Sequence, residues 1–409
     1  MLRNTEFRND SSLGIAEPTE PVIAWNEMGR IFVPSEKDPK MHQSLKLVSF
    51  FMGSSALVAT AACDSKKSEP AKKEQAATQA AEKPVKKKAE ITPAMLGLYQ
   101  PPLATDLVSK EKPVSEAKVN LGRQLYFDKR LSKNHDISCN TCHDLQRYGV
   151  DNLAVSPGHR GQPGARNSPS VYNAAGHFVQ FWDGRSPHVE HQATQPILNP
   201  VEMAHTEESV TAVLKSIPGY QPLFAAAFPD KKDPVTLTNA GDAMGAFESK
   251  LITPARWDKF LSGDQNSLSP KEKRGFIAFN EAGCNACHTG TLLGGGTYQK
   301  LGAMKPWPNQ KDQGRYEVTK KDSDKMIFKV PSLRNITETA PYFHDGSVGS
   351  LVEAIQMMGE YQLGKTISEK DAKDIAAWMG TLKGEVPEDY IREPSLPPSG
   401  PNTPAADPS

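Results

Sequence analysis

The sequence predicts a mainly α-helical chain built as two similar domains with long irregular loops. Three observations predict it. A five-residue word, C-x-x-C-H, occurs twice, as Cys139-Asn140-Thr141-Cys142-His143 and Cys284-Asn285-Ala286-Cys287-His288. Segments flanking both copies carry Val, Leu, Met and Phe at helical spacing. The chain also has 30 glycines and 33 prolines with only 37% apolar residues. That composition suits loop-rich domains wrapped around a large apolar group that replaces part of the interior.

Taken in order, residues 1–62 look foreign to the working fold. Residues 1–40 read as a miscalled start ahead of Met41. A short polar beginning with Lys46 leads into an apolar stretch, Leu47 to Ala62, which ends in the small residues Thr60-Ala61-Ala62 before Cys63. This is the shape of an export signal, too short and too rich in small residues for a membrane span. Cys63 stands where a bacterial lipoprotein is cut and lipidated, although Thr60 occupies a position where Leu is usual. The alternative is an ordinary signal cut near Cys63. Both place the protein outside the cytoplasm, in the periplasm, with a lipid anchor to the membrane in the first case. Residues 63–93 read as a disordered tether, because 64–90 hold eight lysines, five acids and repeated alanines without apolar periodicity.

Residues 94–260 form the expected first domain. Ser115 to Phe127 is an amphipathic helix ahead of the first C-x-x-C-H, and 144–200 are irregular, with Asn167-Ser168-Pro169 and Asp183-Gly184-Arg185 as turn signals. Residues 205–225 and 236–251 are helical. The second domain is 261–390. Ser269-Pro270 is a capped helix start, and that helix carries Phe276, Ile277 and Phe279 toward the second motif. Ser350 to Tyr361 and Ser368 to Leu382 are two further capped helices. Residues 391–409 are a Pro-rich tail, expected to lie as an extended strap. Charges balance at 48 basic and 48 acidic residues, which excludes a nucleic-acid-binding role driven by charge.

The repeated word is the attachment site of c-type haem. Two thiols three positions apart each add to one vinyl group of a porphyrin, and the adjacent histidine offers its imidazole to the iron. The motifs use four of the five cysteines. Zinc knuckles pair within roughly 12–20 residues, whereas these motifs start at 139 and 284. A dithiol redox pair has no need of a histidine in both copies. The expectation is therefore two covalently bound haems c, held by Cys139, Cys142, Cys284 and Cys287, with His143 and His288 on the irons.

The sixth iron position separates carriers from catalysts. A second strong ligand makes an electron carrier, and methionine raises the potential; a displaceable ligand makes a catalyst. For the second haem, Met357 and Met358 are neighbouring candidates on a helix, and spacing does not choose between them. For the first, His159 sits in the loop Ser156-Pro157-Gly158-His159, and a loop ligand can leave the iron. Gln192, Glu202 and Met203 follow the aromatic pair Phe181-Trp182. A glutamate over a haem face could shuttle the proton that peroxide must lose from one oxygen and gain on the other.

Several stretches strongly resemble the bacterial dihaem cytochrome c peroxidases: Ile137-Ser138-Cys139-Asn140-Thr141-Cys142-His143, Arg166-Asn167-Ser168-Pro169-Ser170-Val171-Tyr172-Asn173 and Gln180-Phe181-Trp182-Asp183-Gly184-Arg185. Leu251-Ile252-Thr253-Pro254, Leu333-Arg334-Asn335 and Ala340-Pro341-Tyr342-Phe343-His344 do so as well, so the likeness runs in order from about Ala94 to Pro398. It implies two cytochrome c-like haem domains. In that register the N-terminal haem is peroxidatic, with His143 proximal and His159 its resting distal ligand. The C-terminal haem is the high-potential electron acceptor, with His288 and Met358 axial. Trp182 matches the tryptophan between the haems, Gln192 and Glu202 match the peroxide pocket with Glu202 as acid/base, and Asn167, Thr339 and Pro341 match a calcium site of amide and carbonyl oxygens.

The resemblance further implies a homodimer that reduces hydrogen peroxide to water. A small cytochrome c or a copper protein (a cupredoxin) would be the electron donor. Reduction of the C-terminal haem, with calcium, would loosen the His159 loop. Two rival readings remain: a dihaem electron carrier with both irons closed, and a MauG-like oxidase of a protein side chain. The latter kind of relative carries tyrosine where this chain has Met358, which favours the peroxidase.

Overall fold

The computed structural model describes residues 90–101, 107 and 114–409. The chain divides into Met1–Glu82 and Lys83–Ser409, and every described residue belongs to the second unit. The expected export signal, Cys63 and nearly all of the tether lie outside the described residues.

The same crossing is built twice. Glu116–Phe127, the helix ahead of the first motif, packs on Leu237–Glu248. Pro270–Ala282, the helix ahead of the second motif, packs on Glu369–Met379. Each crossing turns on a glycine. A Cβ on Gly122 would sit 1.8 Å from the carbonyl oxygen of Ala243, and one on Gly275 would sit 1.9 Å from that of Asp374. Only a residue without a side chain lets the two backbones approach this closely. The first pair is embedded in a core of Leu121, Leu125, Tyr220, Phe224 and Met244. The second is packed with Trp257, Phe276, Phe279, Ile375 and Trp378.

Helix starts follow local chemistry. Ser115, Thr206, Thr236, Ser269 and Ser368 each accept a hydrogen bond from a backbone N–H of the first turn. Ser269 and Glu272 form a full capping box with Pro270 at the first helical position. The expected helices at 115–127, 269–282, 350–361 and 368–382 are therefore present, the last two finishing in a π turn and a 3-10 turn. The 205–225 region is two helices, Glu207–Ser216 and Tyr220–Ala227.

One expectation fails. The stretch 144–200 is not irregular throughout, because Val189–Leu198 is helical. Its polar composition and Pro196 hide it, yet Val189, Ala193 and Ile197 are buried at helical spacing against Leu237–Glu248. Tertiary packing of that stripe outweighs weak intrinsic propensity.

The loops repeat as well. Gln180 pairs with Ser186 around Trp182, and Tyr342 pairs with Val348 around His344. Phe181 and Phe343, the residues just before these two, both take positive φ. Asn173 and Asn335 both donate their side-chain amides to the hydroxyl of Thr253, at 2.8 and 2.9 Å. A two-stranded antiparallel ribbon, Tyr298–Lys300 with Ile327–Lys329, places Tyr298 opposite Lys329. The tail behaves as the expected strap: Thr403 bonds Ser216, and the N–H of Asp407 donates to the carbonyl of Lys133.

Candidate active site

Each motif fixes its histidine from behind. His143 Nδ1 lies 3.3 Å from the carbonyl of Gly149, and His288 Nδ1 lies 3.0 Å from that of Leu293. A ring nitrogen facing a carbonyl carries the proton, so Nε2 is left with its lone pair for a metal. Burial lowers the pKa of both imidazoles and keeps them neutral. The first motif is a short helix, Cys139–Cys142, steadied by the Ser138 N–H donating to the Thr141 hydroxyl at 2.9 Å. Tyr126 donates its hydroxyl to the carbonyl of His143 at 2.7 Å. In the second, Gly283 at φ +96° ends the preceding helix in the left-handed conformation and turns the chain into Cys284.

Burial pushes the thiol of Cys284 up to about 11, and it raises Cys139, Cys142 and Cys287 too. Zinc demands thiolates, so these surroundings oppose the zinc alternative. Among the described residues no cluster of three or more His, Cys, Asp and Glu could hold a metal ion. The donor set fits a c-type haem instead: two neutral thiols, an imidazole presented through Nε2, and a thioether in the same cavity.

Two methionines, Met358 and Met379, line that cavity together with Cys284, Cys287, His288 and Trp182; of the two, Met358 is the one in the resemblance register. Met357 packs with Tyr342, Val348 and Ala354. The π turn Met358–Gln362 begins at this residue and succeeds the helix Leu351–Met357; such turns re-aim side chains and recur at functional sites.

Trp182 is tied to two other segments of the chain. Its indole N–H donates to the carbonyl of Asn167 at 3.0 Å, and its own carbonyl accepts from the Lys329 N–H at 2.8 Å. Its ring meets His344 edge to face at 6.5 Å. Asn167, Thr339 and Pro341 line the same cavity. The Asn167 amide nitrogen donates to Leu153 O at 2.9 Å, which leaves Oδ1 as an acceptor.

A second, polar cleft holds Glu202 with Arg185, Gln195 and Asn199. Glu202 Oε1 accepts from the Asn199 amide at 2.8 Å. Burial raises the carboxyl's pKa, against the opposing pull of Arg185 and Asn199. Glu202 is close enough to Cys142 to push that thiol upward, which places it beside the first motif. His159 is buried; its N–H is shared by the carbonyls of Val201 and Glu202 at 2.9 and 2.7 Å, and its Nε2 lies 3.1 Å from the carbonyl of Ser409. Gln192 stands half-buried on the Val189–Leu198 helix, and the glutamine of that helix lining the cleft is Gln195. Arg185, Gln195 and Asn199 escaped sequence reasoning. Arg185 had a readable signal, since it closes the Asp183-Gly184-Arg185 turn just after Trp182.

The family model for di-haem cytochrome c peroxidase matches residues 116–266. The chain is 43% identical over 299 residues to cytochrome c551 peroxidase of Pseudomonas aeruginosa, covering 72% of this chain and 86% of that protein. It is 33% identical over 288 residues to methylamine utilization protein MauG of Methylorubrum extorquens, covering 68% and 81%. A crystal structure of a MauG-like protein associated with microbial copper homeostasis superposes with a TM-score of 0.62 at 28% identity, covering 70% of this chain and 95% of that one. The fold and the paired motifs thus define a dihaem c-type cytochrome. The chain belongs to the family of bacterial dihaem cytochrome c peroxidases and MauG proteins.

Proposed function

We propose that this protein reduces hydrogen peroxide to water, taking electrons from a small cytochrome c or a cupredoxin. The observation that carries the reading is Glu202: a half-buried carboxyl of raised pKa, hydrogen-bonded by Asn199 and faced by Arg185, beside the first haem-binding motif. The bound haems supply redox-active iron and electron storage. Cys139, Cys142 and His143 would hold the peroxidatic one, and Cys284, Cys287, His288 and Met358 the electron-accepting one.

The protein's own groups do the rest. His159 would close the peroxidatic haem at rest and leave it when its loop moves. Ionised Glu202 would take a proton from hydrogen peroxide and return it to the oxygen that departs as the first water; two electrons from the donor and two protons from solvent would complete the second water. Asn199 and Arg185 hold that carboxylate in place; Gln192 and Gln195 offer amides along the same helix. Trp182, between the two sites, carries electrons across.

An amide and carbonyl set at Asn167, Thr339 and Pro341 suits calcium, a hard cation that prefers oxygen ligands. The cation would tie the Trp182 segment to the 339–341 turn. Domains at 94–260 and 261–390, a homodimer, periplasmic location and a lipidated Cys63 complete the proposal. Among the described residues no helix is long and apolar enough to cross a membrane.

The MauG-like alternative, oxidation of a protein side chain, is disfavoured by Met358 in the C-terminal cavity. One assay tests the proposal. Mature protein carrying two covalent haems is mixed with reduced donor cytochrome and hydrogen peroxide. Catalytic donor oxidation is expected; a single stoichiometric oxidation would leave only an electron carrier.

A further inference from the structure

Lys329 ends the second strand of the ribbon and is only 6% exposed. Its Nζ lies 3.0 Å from His177 Nδ1 and donates to the carbonyl of Val179 at 3.2 Å. Among the described residues it makes no ion pair. The nearest acid that acts on it is Asp183, but Asp183 is already bonded by Arg166 at 2.5 Å and Arg185 at 2.9 Å. A buried ammonium without its own counter-ion is costly.

His177 adds a second unmet donor. With Nδ1 accepting from Lys329, the ring proton must sit on Nε2. That atom is buried and has no hydrogen-bond partner. Both side chains line the cavity of Cys284, Cys287 and His288. The cavity thus contains one unpaired cation and one unpaired N–H, both awaiting an acceptor.

We propose that Lys329 and His177 form the seat for a haem propionate in the C-terminal cavity, and that the charge on Lys329 helps set the potential of that haem. The inference rests on the cofactor reading above. A haem brings two carboxylates into a site that otherwise offers this cation only neutral partners. A fixed positive charge beside the haem favours the reduced state, which carries one positive charge fewer. The arrangement also has a mechanical side. Lys329 holds the carbonyls of Trp182 and Val179 through its backbone and side chain, so the propionate would be linked to the segment carrying the bridging tryptophan.

Titration supports the geometry. Burial brings the Lys329 ammonium down to about 7. A propionate at Nζ raises it again, and reduction of the haem raises it further. On reduction the haem gains one electron while Lys329 takes up one proton from solvent, so the potential falls with rising pH above 7. The other groups facing this position are His177, Asp183 with its two arginines, Tyr298 bonded to Arg315 on the paired strand, His344 next to Phe328, and Lys300 and Arg334 on the cavity wall. Arg334 is held by Asp258.

The test is a redox titration of the dihaem protein from pH 6 to pH 10, comparing wild type with K329M and K329R. K329M is expected to lower the potential of the C-terminal haem and abolish its fall above pH 7. K329R keeps the charge without titrating, so the potential should stay high and become flat. A merely structural lysine would move both variants together and leave the pH dependence in place, which overturns the proposal. Should K329M fail to fold, K329R alone decides through the slope. Covalent haem is counted in the same samples. Wild type without haem at Cys284 and Cys287 sinks the cofactor reading, whereas haem present with unchanged variants sinks only the propionate seat.

Discussion

The backbone N–H of His159 donates to the carbonyl of Glu202 across 2.7 Å, so the loop histidine and the glutamate of the polar cleft belong to one hydrogen-bonded unit. The approach is close because residue 158 is glycine; a Cβ there would lie 2.0 Å from the carbonyl oxygen of Val201. Movement of the His159 loop must therefore break a bond to the very segment that positions Glu202. Displacing the His159 loop disturbs the backbone that carries the Glu202 carboxylate.

Glu202→Gln should leave both haem spectra intact and cut peroxide turnover by roughly 100-fold or more. The amide keeps the bond to Asn199 but cannot take a proton. In wild type, turnover should rise with pH as Glu202 ionises. Because burial raises its pKa, that rise should fall above the ordinary glutamate range, and it should vanish in the variant. Steady-state rates across pH measure both; an unimpaired rate removes Glu202 from the role.

His159→Gly should give an N-terminal haem already open in the fully oxidised protein. Gly158→Ala should do so in part, by forcing the loop away from Val201. Peroxide binding followed spectroscopically before any reduction checks both. A His159→Gly protein that still requires prior reduction would place the distal ligand elsewhere.

Met358→Leu should lower the potential of the C-terminal haem and slow electron uptake from the donor, since a thioether ligand favours reduced iron. Met357→Leu should change neither, because that side chain packs with Tyr342 and Val348. Redox titration of the two variants distinguishes them. The same potential in Met358→Leu and wild type would cancel the assignment.

Glu248 predicts a pH-dependent stability. It is buried on Leu237–Glu248, and burial, with the Glu190 charge adding, lifts its carboxyl to about 8. The folded state therefore holds a proton that the unfolded chain releases near its ordinary value of 4.5. Between those two values stability falls as pH rises. Glu248→Gln should flatten that slope and gain on the order of 1 kcal/mol or more at pH 8, read from thermal melts at pH 6 and 8.

Much of the fold was legible because its signals are short-range. The Ser269-Pro270-x-Glu272 start, the Ser115 and Ser368 caps and both C-x-x-C-H words act over a few residues, and the structure keeps each where the chain order implies. The Val189–Leu198 helix was not legible, because Pro196 and a polar composition mask three buried contacts that exist only against a distant helix. The loop duplication is written in Phe181-Trp182-Asp183-Gly184 and Phe343-His344-Asp345-Gly346, but its consequence, the ring contact between Trp182 and His344, needs both copies folded together.

The cleft divides the same way. Glu202 could be singled out by its resemblance register, and Asn199 reaches it from the same turn, while Arg185 comes to it from another turn of the chain. The sequence by itself determined where the two haem-binding words lie and which histidine follows each, because thioether formation and proximal ligation require only neighbouring residues. Tertiary structure decided which carboxylates are desolvated, which methionines reach the cavity and which lysine is buried without a counter-ion. Those properties depend on the loss of water and on groups brought together from far along the chain, and neither exists before the helices pack.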